Sequence, residues 1–320
     1  MLGVLETTRR VVDRARSVRI DQESVDRLAS RLAGQGVQAP EWRVWPHWWD
    51  DSDRAADYVL VLDALNFCFW AAPSEPRWRV QYQGQSLDGY WALAASLHRA
   101  IQAGTPLLDA AYLASIDEAA VRTLFAGEAE IPLLADRVRN LREVGRGLLA
   151  AGGSFAKLVR GAGGSGAALV ADVVRRFPSF DDIAAYDGEP VRFFKRAQIL
   201  VSDLHGMYGG AGLGAFTDMD TLTAFADYKI PQVLREVGIL VYTDALADTI
   251  ERQELIAPGD PREVEIRAAT VWGCELLRQA LAPLRDGPPL RAFEVDWLLW
   301  SDAQGRTLSR PYHRTRTIYY

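Results

Sequence analysis

Apolar residues recur at spacings of three and four along most of the chain, which is the period of amphipathic helices. Residues 5–35 carry two such stripes with a break near Asp21, so two helices are predicted there. The same pattern predicts helices over residues 89–103, 109–114, 116–126, 133–149, 180–185, 192–204 and 260–284. The last begins with a helix-start signal, because Asp260 can cap it and Pro261 suits its first turn.

The stretch DYVLVLDALNFCFW, residues 57–70, is almost continuously apolar. Periodicity alone permits a strand or a buried helix, and the length favours a helix. Asp63 and Asn66 would then share one face, which places two hydrogen-bonding side chains next to each other in a dry setting.

Two regions have the alternation of β-strands. Residues 77–82 predict one strand, and the tail predicts a hairpin of two, because FEVDWLLW and TLSRPYHRTRTIYY flank the turn-like residues 302–305. The fold class predicted is therefore mainly α, with a few short strands near 77–82 and in the C-terminal tail. Residues 1–320 are expected to form one compact catalytic domain, or two interleaved lobes with the site between them.

Residues 222–242 place an acid, Asp227, and a base, Lys229, inside an otherwise apolar run. Pro231 predicts that a new helix covers 232–237 and that Gly238 ends it, so Asp227 is expected in a joint between two helices. Buried charges are usually paired, bound or used. Asp227 is thus either a helix cap or ion-pair partner, or a functional acid.

Charge and composition argue against some classes of function and leave others open. The 320 residues are 49% hydrophobic and 24% charged, and the net charge of -6 speaks against a protein that tracks along a polynucleotide. A small anionic ligand needs only two or three local cations. The two cysteines, Cys68 and Cys274, have no metal-site spacing and are expected as buried thiols in a reducing compartment. Without a signal-peptide pattern or a long apolar span, a cytoplasmic location without membrane attachment is expected.

Several common site motifs are missing. The glycine-rich residues 150–166 lack the preceding strand and Lys-Ser or Lys-Thr ending of a phosphate loop and are interpreted as turns. The aromatic-rich loop over 40–53 either plugs a core or lines a site. The four histidines are scattered, so no metal site is predicted, and neither a serine-nucleophile elbow nor a nicotinamide fingerprint is present.

Isolated carboxylates in apolar contexts remain: Asp63, Asp203, Asp227 and Glu275. Glu275 is expected to pair with Arg267 or Arg278, or else to act in catalysis. Carboxylates, aromatic rings and a few cations suit glycosidic cleavage, in which a carboxylate stabilises an oxocarbenium-like sugar and aromatic rings hold the leaving base. The tail cations Arg310, His313, Arg314 and Arg316 are interpreted either as a phosphate site or as a solvated basic strand.

Five blocks of the chain resemble the queuosine salvage protein family. They are DALNFCFW (63–70), FFKRAQILVSDL (193–204), LTAFADYKIPQVLREVGILVY (222–242), EVEIRAATVWGCELL (263–277) and PYHRTRTIYY (311–320). The resemblance implies an N-glycosidase that converts queuosine 5′-monophosphate to queuine and ribose 5-phosphate, without a cofactor, for tRNA modification. It also implies a helical core similar to helix-hairpin-helix DNA glycosylases. The Pro-Gly-x-Gly hairpin of those enzymes is absent, however, and Ile230-Pro-Gln-Val takes its place.

The resemblance also implies roles for individual residues. Asp227 is expected to be the catalytic carboxylate, with Asp203 near it on ribose or base and Lys195 on phosphate or ribose. The weaker candidates for substrate binding are Asp63, Asn66, Phe67, Trp70, Tyr228, His313 and Arg316. Because a 7-deaza base lacks N7, protonation of that atom cannot assist its departure, so lysine or amide donors are expected instead.

Three hypotheses follow. The first is the nucleotide N-glycosidase, with a small-molecule substrate and no stable nucleic-acid complex. The second is a nucleic-acid glycosylase or tRNA-binding protein of similar fold, against which the acidic charge speaks. The third is a protein that binds a modified nucleoside without cleaving it.

Overall fold

The computed structural model describes residues 2–320, and most of them are helical. The helices are α1 Val4–Val12, α2 Gln22–Gly34, α3 Arg54–Ala64, α4 Gly89–Gln102, α5 Ala110–Ser115, α6 Glu118–Leu124, α7 Leu134–Ala150, α8 Phe155–Gly161, α9 Gly166–Arg176, α10 Lys195–Met207, α11 Lys229–Glu236, α12 Asp244–Glu251, α13 Pro261–Leu281 and α14 Ala292–Gln304. The strands are β1 Val18–Ile20, β2 Arg79–Tyr82, β3 Gln85–Asp88, β4 Ile183–Tyr186, β5 Glu189–Arg192 and β6 Leu240–Tyr242. About 53% of the chain is helical, which confirms the mainly α prediction.

The first of two compact units comprises the described parts of Met1–Pro40, Asp182–Gln198 and Asp218–Arg316. Helix α13 is its centre and packs against α1, α2, α11 and α14. As predicted, Asp260 caps this helix by accepting a hydrogen bond from the Arg262 N–H, and Pro261 occupies its first position. Buried residues follow in nearly every turn because the helix is surrounded on most sides.

The second unit comprises Glu41–Asp181, Ile199–Thr217 and Thr317–Tyr320. Helix α7 packs against α3, α5 and α6. Helix α3 confirms the helical interpretation for residues 57–64 of the apolar run 57–70, but the helix ends at Ala64, so Asn66 lies beyond it. Every residue from Ala55 to Ala64 is buried. Burial on all sides explains why this stretch shows no amphipathic period.

Gly145 sets the close approach of α7 to α5. A Cβ atom at this position would overlap the backbone of Ala114 and lie 2.7 Å from the carbonyl oxygen of Ala110. We therefore expect Gly145→Ala to lower the free energy of unfolding by about 1–3 kcal/mol, despite the better helix propensity of alanine. Thermal unfolding measures this, with Gly161→Ala as the control because no heavy atom lies within 4 Å of its added Cβ. Equal midpoints for the two variants would contradict the packing argument.

The helix predicted over residues 180–185 is wrong. A short 3-10 helix, Pro178–Phe180, is followed by β4, which pairs antiparallel with β5. The turn between the strands is Asp187-Gly188, with φ values of 48° and 82°. Such a pair suits the two-residue turn that matches strand twist, and this local signal outweighs helix propensity.

The hairpin predicted in the tail is also wrong, because FEVDWLLW lies within helix α14. Its buried positions Ala292, Val295 and Leu299 have helical spacing, and Asp296 lies among them. Glu294 and Asp296 occupy every second position at the start of this run and make the sequence look alternating, which explains the error. Beyond the helix, a single parallel bridge at Arg314 is the tail's β contact within residues 2–320.

The other sequence-based element predictions hold with small changes. The two N-terminal helices are confirmed, and strand β1 between them, paired with β6, was not predicted. The glycine-rich residues 150–166 form turns on either side of α8, with positive φ at four of their glycines. Cys68 and Cys274 are buried free thiols. Within residues 2–320, no helix has the length and apolarity required to cross a membrane.

Candidate active site

Asp227 organises the start of α11. Its Oδ1 atom accepts hydrogen bonds from the backbone N–H groups of Lys229 and Ile230 at 2.8 and 2.7 Å. These bonds satisfy amides that have no partner within the helix. The predicted capping role is therefore confirmed, and it fixes the direction of the carboxylate.

The predicted boundaries around Asp227 need correction. Helix α11 begins at Lys229 instead of residue 232, and residues 222–227 have irregular backbone, so the acid follows a loop rather than a helix. The helix starts early because Pro231 falls in its first turn, where a missing N–H costs nothing. Gly238, with φ of 86°, follows the helix as predicted.

The approach segment, residues 223–226, leads directly to Asp227, and its backbone is held by buried side chains from three helices. These bonds run from Thr223 N to Gln198 Oε1 at 2.9 Å, from Phe225 N to Asp296 Oδ2 at 2.8 Å, and from Arg267 Nε to the Ala226 carbonyl at 3.1 Å. Because a buried backbone group without a partner is costly, each bond favours this one path of the chain. The position of Asp227 is thus set by α10, α13 and α14 together.

A buried ion pair connects this segment to the start of α10. The two Nη atoms of Arg267 lie 3.0 and 2.6 Å from the two carboxylate oxygens of Asp182, and both side chains are at most 3% exposed. Asp182 also accepts a hydrogen bond from Lys195 N at 3.2 Å. Since Arg267 also holds the Ala226 carbonyl, one ion pair positions the backbone at both Lys195 and Asp227.

Asp227, Asp296 and Lys195 form one electrostatic cluster. Burial raises the pKa of Asp227, while the Lys195 charge, the two amide hydrogen bonds and the Lys229 charge oppose the shift. The pKa of Asp296 is raised well above its ordinary value, first by burial and then by the Asp227 charge, and less strongly opposed by Phe225 N and Lys195. Two carboxyl groups therefore share the field of one buried ammonium group.

The four cations predicted to cluster in the tail differ in their exposure to solvent. His313 is buried, and burial together with the Arg267 charge lowers its pKa to about 3, so it is neutral at physiological pH. Arg314 is also buried, whereas Arg310 and Arg316 are exposed. The alternative of a solvated basic strand is wrong, because these residues form no strand and two of the four are buried.

The tail packs against the start of α11. The Gln232 side chain donates to the Arg310 carbonyl at 2.6 Å and accepts from Lys229 Nζ at 3.2 Å. The rings of Tyr228 and Tyr312 are tilted against each other, with centroids 5.0 Å apart. Tyr228 is a predicted binding residue that directly follows Asp227 in sequence. Its contact with Tyr312 places its ring against the tail.

The second unit contains the predicted base-recognition residues. Asn66 Nδ2 lies 3.4 Å from Asp63 Oδ1, which confirms that these side chains are neighbours. Asp63 and Asp203 are both buried, and after burial their charges raise the pKa of the Tyr90 hydroxyl well above its ordinary value. Burial and the charges of the same two acids also raise the pKa of the Tyr58 hydroxyl. Asp63, Asp203, Tyr58 and the half-buried Tyr90 thus form a largely buried polar cluster.

A buried arginine orders the loop that follows Asp63. Arg137 donates to the carbonyl oxygens of Leu65 at 2.6 Å and Phe67 at 2.7 Å, and its guanidinium lies 4.4 Å from the centroid of the Phe67 ring. Cys68 has a φ of 41°, a conformation that fixed neighbours are needed to maintain. Phe67 and Trp70, both predicted binding residues, are buried at 1% and 4% exposure.

The aromatic loop over 40–53 buries Trp42 and His47. His47 stacks on Trp42 with centroids 4.2 Å apart, and its Nε2 lies 2.8 Å from the Tyr90 hydroxyl. Burial lowers the pKa of His47 to about 4, so this ring is neutral. Trp45 and Trp49 in the same loop are each 38% exposed.

Glu275 has a structural role. Its carboxylate accepts from Arg278 at 2.6 and 2.9 Å and from Gln279 at 2.7 Å. The predicted pairing with Arg278 is confirmed, and the alternative partner Arg267 is engaged with Asp182. Within residues 2–320, no group of three or more His, Cys, Asp or Glu side chains is arranged to hold a metal ion.

The sequence analysis did not identify the residues that position Asp227. These residues are Asp182, Gln198, Arg267 and Asp296. Their partners lie far along the chain; the Asp296 bond spans 71 residues and the Arg267 pair 85. One signal was present, since Asp296 lies in the largely apolar run FEVDWLLW, as Asp227 does in its own block.

Comparison with known proteins bears on the identity of the chain. A family model described as queuosine salvage protein matches residues 46–320. A Sphaerobacter thermophilus protein named queuosine 5′-phosphate N-glycosylase/hydrolase is 56% identical over 321 residues, covering 100% of this chain and 98% of the relative. Proteins of the same name from Mus musculus and Schizosaccharomyces pombe are 37% and 30% identical, over 100% and 92% of this chain and 99% and 91% of their own. The chain therefore belongs to the queuosine salvage protein family.

Proposed function

We propose that this protein is an N-glycosidase that hydrolyses queuosine 5′-phosphate to queuine and ribose 5-phosphate, so that the base can return to tRNA modification. Membership of the family and the names of its relatives support this substrate. The observation that carries the proposal is the Asp227 carboxylate, held by two backbone amides and close to the buried Lys195. A fixed anion of this kind suits a reaction that develops positive charge on a sugar.

The reaction breaks the bond between the anomeric carbon and the base nitrogen. The electron pair leaves with the base, and the ribose acquires oxocarbenium character that Asp227 stabilises. The oxygen of one water bonds to the anomeric carbon, one of its protons goes to the departed base, and the other stays on the new hydroxyl. Free queuine and ribose 5-phosphate result.

The cap geometry supports different roles for the two carboxylate oxygens of Asp227. Both amide hydrogen bonds end on Oδ1, so we assign Oδ2 to the developing positive charge. An anion held by fixed dipoles needs no reorganisation when the charge forms, which is the main source of such electrostatic catalysis. The raised pKa of Asp227 places the acid limb of the rate at a higher pH than an ordinary aspartate would, since only the ionised form can act.

Lys195 supports the same step. Its positive charge favours the ionised form of Asp227, and its ammonium group can donate to an anionic part of the substrate. We assign it to the ribose or the phosphate. In a 7-deaza nucleotide, donors of this type are needed because the base has no N7 to protonate.

The buried polar cluster of the second unit suits a guanine-like base. Ionised carboxylates only accept hydrogen bonds, and the edge of such a base offers neighbouring N–H donors. We assign Asp63, Asn66 and Asp203 to base recognition, with Phe67 and Trp70 as ring contacts. His313 can serve only as a neutral hydrogen-bonding group, because its pKa is about 3.

A substrate panel tests the proposal. The protein is incubated with queuosine 5′-phosphate, with queuosine and with intact tRNA that contains queuosine, and free base is quantified by chromatography. We expect base release from the nucleotide and none from tRNA, because a protein with a net charge of -6 gains little from neutralising phosphates.

Two outcomes would contradict it. Release from tRNA without release from the nucleotide would indicate a nucleic-acid glycosylase. Saturable binding of the nucleotide with no free base after long incubation would indicate a binding protein.

A further inference from the structure

Asp296 is a second carboxyl group in the surroundings of Asp227, and the proposed reaction does not use it. It lies on α14 at 4% exposure, and its Oδ2 accepts the Phe225 N–H at 2.8 Å. Its hydrogen-bond partner is thus a backbone amide rather than an arginine or a lysine. A carboxylate taken out of water needs stronger compensation than one neutral donor provides.

The two acids are unequally supported. Asp227 accepts two amide hydrogen bonds and is near the charges of Lys195 and Lys229, whereas Asp296 accepts one and is near the charge of Lys195. Burial by itself favours the protonated form of Asp296, and the charge of the better-supported Asp227, which ionises first, adds to this effect. With one proton on the pair, the remaining carboxylate charge is balanced by the Lys195 charge that both acids share.

Helices α11 and α13 pack against α14, and their buried ionisable side chains other than Cys274 have partners: Arg235 pairs with Glu251, Arg267 with Asp182 and Glu263, Glu275 with Arg278, and Glu265 accepts from Ser17 N. Helix α13 presents Cys274, whose pKa is raised well above its ordinary value by burial and by the charges of Asp296, Asp227 and Glu275. The thiol therefore stays uncharged. The approach segment presents the Phe225 amide, and Lys195 supplies the positive charge from α10.

We propose that Asp296 is a positioning residue for Asp227. In its neutral, protonated form it holds the approach segment through Phe225 N and leaves the negative charge of the pair on Asp227 alone. This inference rests on the proposed function, in which the ionised Asp227 carboxylate faces the sugar. It assigns to α14 a role that the reaction chemistry by itself does not require.

Infrared difference spectroscopy tests the protonation without any turnover. At about pH 8 we expect wild-type protein to show a protonated carboxyl band that Asp296→Asn lacks and Asp227→Asn retains. Asp57 also has a raised pKa, but it is ionised at this pH because its pKa is about 6. A band that disappears in Asp227→Asn instead, or spectra that are identical in wild type and Asp296→Asn, would overturn the proposal.

Kinetics test the positioning. Asparagine keeps an acceptor oxygen for Phe225 N, so Asp296→Asn is expected to lower kcat by about 3- to 10-fold and to lose the alkaline limb that ionisation of Asp296 causes in wild type. Asp296→Leu has no acceptor and is expected to lower kcat by about 10²-fold with little change in KM. An unchanged alkaline limb in Asp296→Asn would count against the proposal. If wild type itself releases no queuine, the proposed function fails, while the infrared result still decides the state of Asp296.

Discussion

Replacement of Asp227 by asparagine is expected to lower the rate of base release from queuosine 5′-phosphate by about 10³-fold. The amide keeps an oxygen that can accept from the N–H groups of Lys229 and Ile230, so the start of α11 should survive. What is lost is the negative charge, whose effect on the oxocarbenium-like sugar is large in a site of low dielectric. Single-turnover measurement with saturating enzyme isolates this step from product release.

Asp220→Asn is the matched control for this experiment. Asp220 is an exposed acid seven residues earlier in the same unit, and its replacement should leave the rate unchanged. A loss of less than tenfold in Asp227→Asn, at an unchanged midpoint of thermal unfolding, would remove Asp227 from the chemistry and leave it as a helix cap.

Arg267→Met is expected to be the most destabilising single replacement near the site, lowering the free energy of unfolding by about 3–5 kcal/mol. It leaves the Asp182 carboxylate buried without its bidentate partner and the Ala226 carbonyl without its donor. Thermal and denaturant unfolding of the protein measure this loss. Arg252→Met is the control, because its ion pair with Glu254 is more than half exposed and should matter little.

A double replacement separates stability from positioning. Arg267→Met combined with Asp182→Leu removes both charges, and we expect it to recover part of the lost stability. Activity should stay low, because Lys195 N and the Ala226 carbonyl both lose their fixed partners. Recovery of full activity together with stability would show that the pair only supports the fold.

Local pattern predicted much of the fold. The Asp260-Pro261 pair correctly predicted where α13 begins, and the length of the apolar run correctly predicted that α3 is a helix. The block around Asp227 gave a capping acid at the right place with its helix displaced by three residues. These features depend on bonds between near neighbours, which a sequence displays directly.

The parts that failed depend on distant contacts or on a functional residue within a structural pattern. Asp296 made α14 look like a strand, since an acid on a buried helical face contradicts the apolar period. Arg137 binds carbonyl groups, and Arg267 binds the Asp182 carboxylate, far away in sequence. No spacing of residues along the chain can therefore predict these contacts. The helical resemblance to DNA glycosylases stays a prediction.

The distance from Asp227 to the anomeric carbon tests the central claim most directly. It can be measured in a crystal structure of Asp227→Asn with queuosine 5′-phosphate bound, where the substrate remains uncleaved. We predict that the side-chain atom in the Oδ2 position lies within about 3.5 Å of the anomeric carbon. A nucleotide bound with that carbon against another carboxyl group, and with residue 227 beyond contact distance, would contradict the account.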